Sequence, residues 1–341
     1  MPGTTNYEQP SFWRGQDALQ WEQHAANLRS YENMANHLLD SIQEVRDLDK
    51  IQDMYDIAAR SGIFTQQALR RVPHLQVKAL ESNEDHLRMA KIKFSQTSAE
   101  GLFDSIDKLR DGHPYPPLIA ELADMVDLRE HLTVTRKMLE EHFMDVTFSH
   151  GGPHKVNELG DGAGLIVAWQ NAHWWRRAPP EGVTKDDYPA LVINNAYEAL
   201  DDNGIFALSL TGHDYEFGDE KMDKKHMKQR QFYKHLMIAA NAEAGKKLEE
   251  GCPYTYQKGE LEDLLSHDFN IVRRDTTELR YNPAQLLEVY LLSALGPLKD
   301  SGMDQDEIEV ALRNALLRTM QTTTFPREGI ETSMQIVATK R

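Results

Sequence analysis

Apolar positions along the chain fall into alternating blocks of two kinds. Short apolar runs at 54–59, 77–80, 146–148, 165–169, 205–210 and 334–339 have strand length. The run at 165–169 is β-branched as well as apolar, which favours a strand over a helix. Between these runs, apolar residues return at helical spacing. Leu19, Ala26, Leu28, Tyr31, Met34, Leu38, Leu39 and Ile42 form one stripe, predicting one or two helices over 16–45. Phe64, Ala68 and Leu69 form another, and Leu191, Val192, Ile193, Tyr197, Ala199 and Leu200 a third over 188–200. Helical spacing also covers 118–125, 132–143, the charged stretch 214–250, a short segment at 256–267, and two helices within 282–319. The tetrad Asp201-Asp202-Asn203-Gly204 is expected as a turn ahead of the strand at 205–210. A strand is expected to begin at 269–272.

One stretch, 51–94, organises the rest. Its first apolar run ends in the small-residue turn Ala58-Ala59-Arg60-Ser61-Gly62. A helix follows and stops at Pro73, and the next apolar run ends on Glu81. Strand, tight turn, helix, strand, acid is half of a nucleotide-binding βαβ unit. Such a turn lets a helix N-terminus approach a ligand, and a carboxylate after the second strand can hold ribose hydroxyls. A denser glycine run lies at Gly160-Asp161-Gly162-Ala163-Gly164, with Glu158 before it. Pro153, His154 and Lys155 interrupt any strand ahead of that run, and a strand rather than a helix follows it. It is therefore set aside.

The organising stretch resembles motif I and the acidic loop of the class I S-adenosylmethionine-dependent methyltransferases. Their pattern is D-x-G-x-G-x-G with an acid about two dozen residues on. Asp56 and Gly62 match it, while Ala58 and Arg60 stand where two glycines are usual. Glu81-Ser82-Asn83 followed by Leu87, Met89, Ala90 and Lys91 matches the second half. The stretch from Gly164 to Trp174, with Gln170-Asn171-Ala172-His173-Trp174 at its end, resembles motif IV of the trans-aconitate methyltransferase group, although that family's acid at the strand start is absent at Ala163 and Gly164. The helix, Asp-Asp-Asn-Gly turn and strand over 188–210 resemble the family's segment before its fifth strand, with Asp202 and Asn203 at the usual Pro and Gly places. The stretch from Tyr256 to Val272 resembles its late helix and Gly-Phe strand, with Asp268 in the glycine place. The resemblance covers about 51–94 and 146–272.

It implies an α/β fold: a Rossmann-like seven-stranded methyltransferase sheet with helices on both faces. Residues 1–45 would be an N-terminal arm and helical cap. Residues 46–341 would be the Rossmann-like domain, with helical insertions at about 95–143, 214–250 and 282–325. The implied cofactor is S-adenosylmethionine, held by Asp56, Ala58, Gly62, Glu81, Ser82, Ser149, Gly151, Trp169 and Asn171. Glu81 would take the ribose hydroxyls, and Ser82, Ser149 and Gly151 would lie near adenine.

Composition narrows the partners. The chain has 40% hydrophobic and 27% charged residues, enough apolar surface for a full core. Its net charge of -16 argues against a nucleic-acid partner, whose phosphates need clustered Lys and Arg. Cys252 is the one cysteine, so no intrachain disulfide forms, which fits a reducing, cytoplasmic compartment. No apolar run approaches a membrane span, and the first residues lack a secretory apolar core. No Cys/His cluster offers a zinc site. A monomer or homodimer is expected.

Methyl transfer asks mainly for alignment, because the sulfonium is already activated. His173 is the candidate catalytic residue, as a general base or as an orienting group that packs near the cofactor. Trp169, Trp174 and Trp175 read either as a wall around the sulfonium or as core. Arg176 and Arg177 read either as a fork for an acceptor carboxylate or as solvated surface. The acceptor set is Tyr7, Trp13, Trp174, Arg176, Arg177 and His213, with Trp21 a further residue of the cap able to face substrate. Arg60 is expected to point away from the ligand or to pair with a nearby acid, because an unpaired guanidinium beside a cation is costly. The expected activity is methyl transfer to a small molecule, with a carboxylate oxygen as the sharper form. The alternative is a protein of this fold that has lost methyl transfer and binds the cofactor without methylating, or serves as an interaction subunit.

Overall fold

The computed structural model describes residues 18–95, 101, 117–122, 127–143, 145–176, 179–211, 220–246, 256–326 and 329–341. Tyr7, Trp13, Arg177 and His213, and the side chain of His173, lie outside that part, as does much of the insertion expected at 95–143.

Helices α1 (Ala18–Leu28) and α2 (Ser30–Val45) precede the sheet. Strand β1 (Asp53–Asp56), α3 (Ile63–Arg71), β2 (Gln76–Glu81) and α4 (Glu84–Lys93) then follow. Helices α5 (Pro117–Leu122) and α6 (Leu128–Leu139) lead to β3 (Val146–His150) and β4 (Ala163–Ala168). After them come α7 (Tyr188–Ala199), β5 (Leu200–Thr211), α8 (Glu220–Glu243), α9 (Glu260–Leu265) and β6 (Phe269–Tyr281). Helices α10 (Pro283–Lys299) and α11 (Gln305–Thr322) and strand β7 (Gly329–Lys340) complete the chain. Side-chain caps set several helix starts: Asn83 accepts from two backbone N–H groups of α4, and Asn282 and Asp304 form capping boxes on α10 and α11.

The strands form one seven-stranded sheet in the order β3-β2-β1-β4-β5-β7-β6. The first five run parallel, and β7 lies antiparallel between β5 and β6. Both faces are covered, as a parallel sheet requires. Strand residues alternate between the two layers. Met54, Leu165, Val167, Ile205, Ala207 and Val337 join the layer with α2, α3, α8, α10 and α11. Tyr55, Ile166, Ala168, Phe206, Leu208 and Ile336 join the layer with α7 and α9. Strand order reverses between β1 and β4, so a crevice opens beyond their carboxyl ends.

The expected turn at 201–204 proves to lie inside the span of β5. Ala163 pairs with Leu200 and Leu165 with Ile205, so β5 carries the excess residues as a bulge. Asp201 Oδ1 accepts from the Asn203 backbone N–H at 2.7 Å, which closes the local loop. A Cβ on Gly204 would stand 2.6 Å from Leu200 Cδ2 and 2.9 Å from the Ala163 carbonyl oxygen, so only glycine fits there. Turn chemistry is present, but neighbouring β4 and the resumed register hold it in the sheet.

Two buried polar contacts tie α1 to the body. Lys93 Nζ on α4 meets Glu22 Oε1 at 2.5 Å with both side chains inaccessible. His24 Nδ1 lies 3.2 Å from Glu288 Oε1 on α10, which also accepts from Asn27.

Candidate functional site

Strand β1 delivers Asp56 to the crevice edge, and the backbone then turns through Ile57–Gly62. Ile57 N–H is held by the Val167 carbonyl of β4 and Ala59 N–H by the Leu80 carbonyl of β2. Arg60 and Gly62 have left-handed backbones, with φ of 49° and 81°. Glycine is the easy occupant of such positions; Arg60 is not. A Cβ on Gly62 would lie 2.7 Å from Phe94 Cε2, so an aromatic ring already closes that side of the turn.

Two carboxylates face this turn. Asp56 is fully buried and accepts from Thr65 Oγ1 at 2.8 Å and, at 3.5 Å, from Ala58 N–H. Burial pushes its pKa up to about 7, offset in part by those two hydrogen bonds and reinforced by Glu81. Glu81 accepts from Arg60 N–H at 2.6 Å on one oxygen and from Asn83 N–H at 2.7 Å on the other. Burial holds Glu81 above the usual carboxylate range, against the pull of its hydrogen bonds and of Arg60. Beside Glu81, the Gly151 N–H reaches the Glu81 carbonyl at 3.1 Å, and a His150 ring nitrogen lies 3.0 Å from the Ser82 carbonyl oxygen. Ser82, Ser149 and Gly151 are thus gathered at the ends of β2 and β3, where Leu80 pairs with Ser149.

The Arg60 side chain reaches across the crevice: Nη2 donates to the Gln170 carbonyl at 3.2 Å, and Cζ sits 4.5 Å from the centre of the Trp21 ring. The side chain therefore bridges from the β1 turn to the end of β4, beneath α1. The aromatic face and the carbonyl both favour the guanidinium's positive charge. Trp21 is 1% exposed and packs on Tyr31 and His86. His86 is held far below its ordinary pKa, at about 3, by burial and then by Arg60, so its ring is neutral.

Gln170 was not among the sequence candidates, yet it ends β4 at the crevice. Its φ is 50°, its N–H donates to Ser209 Oγ at 2.9 Å, and its Nε2 donates to Ser333 Oγ at 2.7 Å. A polar residue breaking the apolar run of β4 was the available signal. Trp169 is buried between Tyr31 and Phe64 rather than along an open wall. Asn171 Oδ1 accepts from Trp175 Nε1 at 2.8 Å, so this side chain locks the segment that follows. Trp175 is itself core, and Trp174 is partly exposed. Arg176 Nη2 meets Glu260 Oε1 at 2.6 Å and lies over Tyr256, whose hydroxyl donates to the Ala172 carbonyl.

S-Adenosylmethionine fits one half of this arrangement. Glu81, Ser82 and Gly151 stand together where an adenosine would need a carboxylate and small neighbours. Ser61 Oγ and Gln170 Oε1, one on each side of the crevice, are buried with no hydrogen-bond partner among the described residues. The Arg60 side chain crosses the other half, from the turn after β1 to the Gln170 carbonyl. Among the described residues there is no group of three His, Cys, Asp or Glu able to hold a metal, and no helix long and apolar enough to cross a membrane.

No family model matches the sequence, and no curated protein matches it. Solved structures similar to the chain include the cyclopropane synthase MmaA2 from Mycobacterium tuberculosis, at 11% identity over 89% of this chain and 84% of that chain, with a TM-score of 0.44. The MccD protein has 8% identity over 89% and 96% of the two chains, with a TM-score of 0.44. A phosphoethanolamine N-methyltransferase 2 from Haemonchus contortus, solved with phosphomonomethylethanolamine and S-adenosylhomocysteine, has 12% identity over 89% and 52%, with a TM-score of 0.38. The class I methyltransferase fold is read from the chain's own strand order and from β7 set antiparallel between β5 and β6.

Proposed function

We propose that this chain binds S-adenosylmethionine at the crevice between β1 and β4 and transfers its methyl group to a small molecule. One observation carries the reading: Glu81, at the end of β2, is hydrogen-bonded to the turn that follows β1, so acid and turn face one crevice. The cofactor supplies an activated methyl carbon; the chain has to bind and orient. Asp56 shapes the turn through Ala58 and Thr65. Glu81 takes ribose hydroxyls, and Ser82, Ser149 and Gly151 lie against adenine. Ala58, Gly62, Trp169 and Asn171 shape the site. His173 orients the acceptor. Tyr7, Trp13, Trp174, Arg177 and His213 complete the acceptor side. The chain works in the cytoplasm as a monomer or homodimer, without nucleic acid.

A carboxylate acceptor methylated on oxygen is the sharper form of this reading. It needs a guanidinium to grip the acceptor, and Arg176 is already engaged by Glu260. The gripping group is therefore Arg177, or Arg176 once that pair opens. Incubation with labelled S-adenosylmethionine and a panel of acids, amines and phenols tests it. Transfer to acids with a KM raised in Arg177→Ala supports the carboxylate form; transfer to amines or phenols alone removes it.

The Arg60 guanidinium favours a second reading, a chain that binds an S-adenosyl ligand without methylating. Binding with no transfer to any acceptor in the same panel would select it.

A further inference from the structure

We propose that one face of α4 and the end of β3 form a second binding site, for a small amphiphilic monoanion: an alkyl carboxylate. The site stands apart from the crevice between β1 and β4, and it does not depend on what that crevice binds.

A cavity of about 430 Å³ lies there, within the size range of small-ligand sites. Glu84, Leu87, Arg88, Lys91 and Ile92 line it, and their spacing is that of one helix face. His150, at the end of β3, lines it as well. Strand β3 ends the sheet, so the cavity lies at the sheet's edge, with β2 between β3 and β1. Ser149 and His150 are successive residues of β3, and successive strand residues point to opposite faces. The cavity is lined by His150 and not by Ser149, the residue placed against adenine.

Two features of the lining select the ligand. Leu87 is buried and Ile92 half-buried, which gives the cavity an apolar floor. An alkyl chain laid on that floor leaves water. Arg88 and Lys91 are exposed beside it. Elsewhere in this acidic chain arginines meet carboxylates: Arg71 meets Asp40, Arg274 meets Glu262 and Arg318 meets Glu243. Arg88 and Lys91 make no ion pair among the described residues. With a net charge of -16, acids are plentiful, yet these two cations over an apolar floor have none. A guanidinium takes a carboxylate through two parallel N–H donors, and an ammonium adds a point charge. Glu84, on the same helix face, cancels one of the two charges. The surplus of one positive charge matches a monoanion, and a phosphate dianion would exceed it.

Titration calorimetry on the full chain tests the proposal, with octanoate as the probe and octan-1-ol as its uncharged counterpart of equal length. One saturable octanoate site per chain is expected, with octanol bound about 10-fold more weakly, the scale of a hydrogen bond to a charged group. That comparison needs no variant to fold. Arg88→Gln combined with Lys91→Gln changes two exposed side chains; it should weaken octanoate by about the same factor and leave octanol unchanged. Glu84→Gln should tighten octanoate. Saturating S-adenosylhomocysteine should leave octanoate binding as it was. No saturable octanoate binding, equal binding of the two probes, or parent-like octanoate affinity in the double variant would overturn the proposal. Displacement of octanoate by S-adenosylhomocysteine would put the probe in the crevice, and that too would overturn a second site.

Discussion

Asp56 shows what a single buried carboxylate costs and contributes. It is an acid whose native pKa, about 7, lies above its ordinary value of 3.8, so the folded chain holds this proton more tightly than the unfolded chain. Its share of stability is complete at low pH and is lost as pH rises through about 7, on the order of a few kcal/mol in all. Asp56→Asn keeps an acceptor for Thr65 and cannot ionise. Relative to that variant, the parent should lose stability steadily from about pH 4 to 7 in urea titrations and then level off. A difference that does not change with pH would mean that Asp56 is solvated or ionised throughout. At this scale the sequence was only partly legible. Asp56, Gly62 and Glu81 could be singled out because the chemistry of a phosphate- or ribose-facing turn restricts residue type at short spacing. Where Arg60 points could not, because its partners Trp21 and Gln170 lie far away along the chain and no local pattern encodes them.

Among the elements, α1 lies over the crevice and supplies Trp21. What fastens it includes the buried pair Glu22–Lys93, whose other carboxylate oxygen, Glu22 Oε2, has no hydrogen-bond partner among the described residues. Breaking one side of such a pair strands a charge, at about 3–5 kcal/mol, whereas replacing both partners with apolar residues is often neutral. Lys93→Met should therefore lower stability by about that amount in denaturant titrations, and Lys93→Met with Glu22→Leu should recover most of it. If the double variant is no better than the single one, the pair acts through shape rather than charge. The two N-terminal helices were legible from one apolar stripe, since burial of a helix face imposes the 3.6-residue period. Their docking was not: His24 and Glu288 stand 264 positions apart, and neither residue type announces a partner. The bulge in β5 was misread as a turn outside the strand for a related reason. Asp, Asn and Gly encode a local reversal, while β4 decides whether the sheet continues past it.

On the scale of the whole molecule, the strand order accounts for where a ligand goes. Five parallel strands with a reversal between β1 and β4 open a crevice beyond their carboxyl ends, where the turn after β1, Glu81 and Gln170 meet. The alternation of short apolar runs with helical stripes was enough to predict this α/β sheet, because both periods are dictated by backbone geometry. The identity of the acceptor was not legible, since variable helices rather than the sheet would build that side. The most direct measurement is a calorimetric titration of the full chain with S-adenosylhomocysteine, in parallel with Glu81→Ala. The account predicts one saturable site per chain in the parent, and binding weakened by about 1.5–3 kcal/mol in the variant through loss of charge-assisted hydrogen bonds to the ribose. No saturable heat in the parent, or an equal dissociation constant in Glu81→Ala, would contradict it.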